Sequence, residues 1–155
     1  MSMTGVESFD RSIHKTNAWL KDLMADLGWE DRHRAYAALR ATLHALRDRL
    51  PTEEVLQLGA QLPMLIRGFY YEGWHLADKP LKERHKEEFL GHIADALRTD
   101  FVAEPEVIAR AVFRLLGARI SAGEMADIRG ILPHEIRDLF AQPEAEPAFS
   151  GRPGT

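Results

Sequence analysis

No cysteine occurs anywhere in the 155 residues. That absence removes disulfide staples, thiolate nucleophiles and sulfur-ligated metals together, and it fits a reducing compartment. Long uncharged apolar runs are missing too, so no segment reads as a bilayer crossing. The first ten residues lack the cationic patch and apolar stretch of a secretory leader. β-branched residues are sparse and no stretch alternates usefully with period two, which leaves no strand to assign. The glycines stand singly at helix ends, without a Gly-x-Gly-x-x-Gly pattern or phosphate loop, so nucleotide cofactors are not indicated. Nor is there an excess of positive charge. A formal net charge of −4 gives no basic field for a phosphate backbone. The expectation is a cytoplasmic protein with no membrane partner, for which nucleic acid is disfavoured.

What is present is an internal repeat. Ala38-Leu39-Arg40-Ala41-Thr42-Leu43 falls on Ile108-Ala109-Arg110-Ala111-Val112-Phe113 at an offset of seventy residues. The register continues without a gap: Leu62, Pro63, Ile66 and Arg67 match Leu132, Pro133, Ile136 and Arg137, and Tyr70 matches Phe140. Upstream, Trp19, Leu20, Leu23 and Leu27 match Phe89, Leu90, Ile93 and Leu97. A fixed period means that each unit is one supersecondary module unable to bury its apolar face alone.

Within unit one, Phe9, Ile13, Leu20, Leu23 and Leu27 form one inward helical stripe, ended by Gly28. A second helix over about 31–50 places Tyr36, Leu39, Leu43, Leu46 and Leu50 on one face. Pro51 stops it, and Thr52 is the expected cap of a short third helix carrying Val55, Leu58 and Leu62. Pro63 is expected as the first residue of a fourth. Unit two repeats the scheme with Phe89, Ile93, Ala96 and Leu97, then Val107, Ala111 and Leu115, with Ile108 and Val112 as further candidates. Ser121-Ala122-Gly123-Glu124 reads as a capping box and Pro133 opens the last helix. The predicted fold is therefore all-α: two tandem pseudo-symmetric helical units packed as one multi-helix bundle domain. The boundaries expected are 9–140 for the domain, units of about 9–70 and 79–140, a connector at 71–78, and flexible ends at 1–8 and 141–155.

Trp29-Glu30-Asp31-Arg32, Leu43-His44-Ala45-Leu46-Arg47-Asp48-Arg49-Leu50, the run from Gln61 to Trp74 and Leu132-Pro133-His134-Glu135-Ile136-Arg137 resemble the bacterial domain-of-unknown-function family 2267. The resemblance covers about 9–140. It implies a helical bacterial protein of uncharacterised activity and brings no catalytic residues to carry over.

Glu30…His33 and Glu72…His75 have the Glu-x-x-His spacing of helical-bundle metal sites, and His85, Glu88 and His92 offer a rival ligand face. These compete rather than converge, Gly73 interrupts one of them, and the reading is no metal and no cofactor. Ser8, Ser12, Ser121 and Ser150 lie in tails, caps or helix starts rather than in a nucleophile elbow, so no catalytic residue is assigned. Arg40, Arg49 and Arg67 recur as Arg110, Arg119 and Arg137, which is read as structural: Glu54 is expected to pair with Arg67 and Glu124 with Arg137 across the third and fourth helices. Phe69, Tyr70, Tyr71 and Trp74 form the densest aromatic cluster, and unit two does not keep its second half. Phe69 and Tyr70 are expected buried, while Arg67, Tyr71 and Trp74 form the candidate binding surface.

The function expected is a non-enzymatic binding or protein-interaction module for an unknown protein or small-molecule partner, with a homo-oligomer left open. The alternatives are a metal-binding or enzymatic bundle using Glu and His side chains assembled from both units, and a weak nucleic-acid binder.

Overall fold

The computed structural model describes residues 3–98 and 103–140. The expected flexible tail at 141–155 lies outside them. The described chain is all-helical, as predicted, with no strand.

Among the described residues eight α-helices run in the order α1 (Glu7–Leu27), α2 (Arg32–Arg47), α3 (Thr52–Ala60), α4 (Met64–Tyr71), α5 (Lys86–Leu97), α6 (Pro105–Arg119), α7 (Ala122–Ile131) and α8 (His134–Arg137), followed by a 3-10 turn at Asp138–Phe140. The punctuation is where the sequence puts it. Gly28 ends α1 in the left-handed conformation at φ 71°, returning its N–H to the Met24 carbonyl. The Asp31 carboxylate caps α2 by accepting from the His33 and Arg34 amides. Two details shift by one residue. Pro51, not Thr52, occupies the N-cap position of α3, and Pro63 the N-cap position of α4. Proline suits that extended position because its fixed φ fits and it has no N–H to satisfy.

α3 and α7 begin seventy residues apart, as do α4 and α8. The first helices do not correspond in this way. α1 begins well before the position that matches the start of α5, because the connector, with Pro80, occupies the residues that would extend α5 backwards. Two N-terminal turns of α1 therefore have no helical counterpart in unit two.

Helices α1, α2, α5 and α6 pack on one another, and the short helices close over them, α4 against α1 and α2, α3 against α4 and α7. Leu39, Leu43, Leu46, Leu58, Leu62, Ile66, Phe89, Ile93, Ile108 and Val112 are fully buried in one continuous core. Burial of a Leu or Ile side chain contributes about 1.5–3 kcal/mol relative to exposure. Phe113 stacks on Phe140, ring centroids 3.9 Å apart, and so holds the final turn against α6. No described helix is long and apolar enough to cross a membrane.

Three apolar residues expected inside are not, the small Ala96 on α5 and two larger ones. Val107 is 51 % exposed, with Ile108 and Ala109 buried in its stead. Phe9 is 49 % exposed, although it belongs to the stripe expected to face inward. α1 instead buries Ser12, Thr16, Trp19, Leu20 and Leu23, a face rotated toward the polar side. The reason lies 53 residues away: the Ser12 hydroxyl accepts from the Leu65 amide at 2.8 Å, one of the orphan N–H groups at the start of α4. Turning Ser12 to α4 turns Phe9 and Ile13 out of the core.

Candidate functional site

That rotation opens a cleft between α1 and α4. Its apolar half, about 770 Å³, is walled by Phe9, Ile13, Leu20, Tyr36, Leu65 and Phe69. The rim residues Met64 and Leu65 are both 48 % exposed, an unusual display for two adjacent large side chains. Gly68 lies on its wall, where a β-carbon would meet nothing within 4 Å. Its polar half, about 490 Å³, lies beside the corner between α3 and α4, and every charged side chain that lines it is a cation: Arg11, Lys15, Arg67 and Arg119. The two halves share Ser12 and Met64 in their linings and so adjoin along α1, on either side of the Ser12–Leu65 contact.

The cations are held differently. Arg11 pairs with Glu7 at 3.1 Å and Arg119 with Asp22, both acids standing outside the trough. Arg67 donates from Nε to the Gly59 carbonyl at 2.9 Å and from Nη2 to the Leu62 carbonyl at 2.8 Å. This corrects the expected pairing of Glu54 with Arg67. Carbonyls at the end of α3 and in the corner after it attract donors, Pro63 supplies no N–H, and the guanidinium reaches the Leu62 carbonyl while adding a second donor to the Gly59 carbonyl, which also takes the Leu62 N–H at 3.1 Å. Arg137 likewise donates to the Leu132 carbonyl at 2.9 Å instead of pairing with Glu124. So the duplicated arginine does the same work twice, on carbonyls rather than on carboxylates.

Tyr71 and Trp74 lie beyond Arg67, half-buried with ring centroids 5.7 Å apart, while Phe69 and Tyr70 are buried. Neither Tyr71 nor Trp74 lines either half of the trough; of the three candidate residues only Arg67 does. The Tyr70 hydroxyl donates to the Val55 carbonyl at 2.8 Å, and burial pushes its pKa far up, so it is a structural donor and not an acid. The end of α4 is fixed from α2. Buried Arg47 donates to the Tyr70 and Glu72 carbonyls at 2.7 and 2.9 Å, and His44 Nε2 lies 2.6 Å from the Phe69 carbonyl. Burial lowers the His44 pKa, which keeps the ring neutral with its proton on the nitrogen facing that carbonyl.

Glu54 and Glu124, freed from the arginines, face one another between α3 and α7. They are 8 % and 5 % exposed. With Asp127 they each offer a carboxylate oxygen within 4.8 Å of the others. Burial, then the hydrogen bond to Glu54, pushes the Glu124 pKa up to about 8. A proton held between two carboxyls is the simplest arrangement for like charges that cannot both ionise. The capping box at Ser121 is half made for the same reason. Ser121 Oγ accepts from the Glu124 amide at 3.2 Å, but the Ser121 N–H goes to Gln61 Oε1 at 2.9 Å. Gln61 fills the place that the Glu124 side chain vacates.

The histidine candidates scatter. Glu72 and His75 follow the end of α4, with Gly73 at φ 74° between them, so helical spacing does not apply. His85 is 3.3 Å from Glu135, and His92 is 3.0 Å from Glu83. Among the described residues only Glu54, Glu124 and Asp127 converge as a set of metal-ligand type. Sequence reasoning missed both that convergence and the trough. The repeat held a signal for the first, since Glu54 and Glu124 are equivalent positions. For the second the signal would have been the absence, in unit two, of anything matching the start of α1.

No curated protein matches the chain. The profile of the DUF2267 family, described as an uncharacterized conserved protein, matches residues 16–139, from the middle of α1, beyond most of its trough-lining residues, to the 3-10 turn. The chain therefore belongs to the DUF2267 family.

Proposed function

We propose that this protein is a non-enzymatic binding module and that it takes its partner in the trough between α1 and α4. The observation that carries the reading is the pairing of half-exposed apolar residues with an all-cationic cavity in a chain of net charge −4. Large apolar side chains grouped on a surface and rimmed by polar groups mark contact sites. Two pseudo-symmetric units belong to the same reading, supported by the matched starts of α3 and α7 and of α4 and α8, as does a cytoplasmic setting, supported by the lack of cysteine. On this view the duplicated helices supply a stiff frame, and the unduplicated start of α1 supplies the specificity.

Gly68→Trp tests it. The new β-carbon would meet nothing within 4 Å, so the bulky side chain is attached at an open point of the trough wall. Affinity purifications from source cells, run in parallel with wild-type and Gly68→Trp baits of equal melting temperature, should lose a defined set of partners only on the variant. Identical sets on both baits would remove the trough from consideration.

A further inference from the structure

Resting on that reading of the trough, we infer that its occupant is an amphipathic helix of a partner protein, lying with its apolar face in the groove and acidic residues over the cationic end. The charge pattern is the first argument. Arg11 and Arg119 are partly neutralised by Glu7 and Asp22, but no ion pair joins Lys15 or Arg67 to a carboxylate among the described residues. Arg67 spends its donors on carbonyls, which accept hydrogen bonds without cancelling its charge. Two uncompensated cations thus face the same cavity, and complementary acids are the chemistry that they select.

Orientation follows from the other end. The apolar half runs on to Glu72, whose carboxylate meets Arg40 at 3.3 Å and closes that end with an acid. The trough is therefore cationic on the side of Lys15 and Arg67 and neutralised at Glu72, and a ligand with acids on one side is accommodated in one orientation. Shape favours a helix over an acyl chain. The walls are the flanks of two helices, and along α1 the apolar lining runs from Phe9 to Leu20. At about 1.5 Å per residue that is roughly 16 Å, or three turns, long enough for anchors at i, i+3 or i+4, and i+7. The groove is an open trench along which Met64, Leu65 and Phe9 remain about half exposed, whereas small apolar ligands are mostly enclosed.

A phage-displayed library of amphipathic helices, with apolar and charged positions both varied, is selected against the intact protein. Enriched peptides are then synthesised and titrated by fluorescence anisotropy against wild type, Lys15→Glu and Gly68→Trp. The expected result is enrichment of Asp and Glu at one end of an i, i+3/i+4, i+7 apolar face. Affinity should fall about tenfold or more on Lys15→Glu, weaken as salt is raised, and vanish on Gly68→Trp. Helices without acidic bias that still require an open Gly68 would leave the trough as the binding face and overturn only the assignment of its ligand. Enrichment of nothing above background overturns the helix as occupant. So does dodecanoate binding that both substitutions abolish while no peptide competes, or a wild-type dimer that Gly68→Trp makes monomeric.

Discussion

Glutamine in place of Glu124 should stabilise this protein at alkaline pH and leave it nearly unchanged at mildly acidic pH. Glu124 is buried against Glu54, and its carboxyl ionises only near pH 8 instead of 4.5. The raised value fixes the sign. Between pH 4.5 and 8 the folded protein binds the proton that the unfolded chain has released, so stability is fully present below 4.5 and is lost as pH rises through about 8. At 1.36 kcal/mol per pH unit the ceiling on that loss is roughly 5 kcal/mol. The two carboxyls titrate together and Asp127 lies exposed beside them, so a realistic loss is about 1–3 kcal/mol. Glutamine keeps the shape and offers an N–H to the Glu54 carboxylate at every pH. The Ser121 cap on the Glu124 amide is a backbone contact and survives the change. Urea unfolding at pH 5, 7 and 9 is the assay. The variant should match wild type within about 0.5 kcal/mol at pH 5 and exceed it by about 1–3 kcal/mol at pH 9. A difference that does not vary with pH, or a variant that is weaker throughout, would show that the two carboxyls do not hold a proton between them.

Arg47→Met removes the donor to the Tyr70 and Glu72 carbonyls and the partner of Asp48, and should cost about 3–5 kcal/mol by denaturant unfolding; a loss below about 1 kcal/mol would mean that water replaces the guanidinium at little cost. Trp74→Ala deletes a half-buried ring that packs on Tyr71, and the expected loss of about 1–2 kcal/mol lies under the 3–5 kcal/mol of a fully enclosed aromatic. Because Trp74 does not line the trough, peptides selected there should bind this variant as they bind wild type. Millimolar Ca²⁺ or Mg²⁺ should leave the melting temperature within about 1 °C of an EDTA-treated sample, since two of the three converging acids already share a proton; a concentration-dependent rise abolished by Asp127→Asn would assign a cation to them instead.

The helices were legible because their causes are local. Leu39, Leu43, Leu46 and Leu50 repeat at the helical period and are all buried. Pro51, Pro63 and Pro133 mark breaks that no tertiary contact could erase, since a missing N–H is missing in every context. Phe9 and Ile13 have the same periodicity, yet they line an open trough. Periodicity states that a face is apolar; burial needs something opposite, and what lies opposite depends on Ser12 meeting Leu65 across 53 residues. The expected Glu54–Arg67 pair failed for a related reason. Opposite charges near in sequence look complementary until the carbonyls at Gly59 and Leu62 are counted as rivals for the same guanidinium.

Duplication sharpens this last point. Residues seventy apart in the sequence can meet where α3 packs on α7, and an acid that is harmless on a single surface then faces another acid. Glu54 and Glu124 are such a pair, and the surroundings have diverged around them: Asp127 stands where unit one has Gln57, Ser121 where it has Pro51, and Gln61 where unit two has Ile131. Gln61 can cap Ser121 only because those changes differ between the copies, and its two hydrogen bonds at 2.9 and 3.1 Å tie α3 to the start of α7. The trough follows the same logic on a larger scale, since it uses the two turns of α1 that have no helical equivalent ahead of α5. On the proposed two-unit reading, a symmetric frame would offer every surface twice. A single oriented ligand needs a surface that exists once, and in this chain the α1–α4 trough meets that condition.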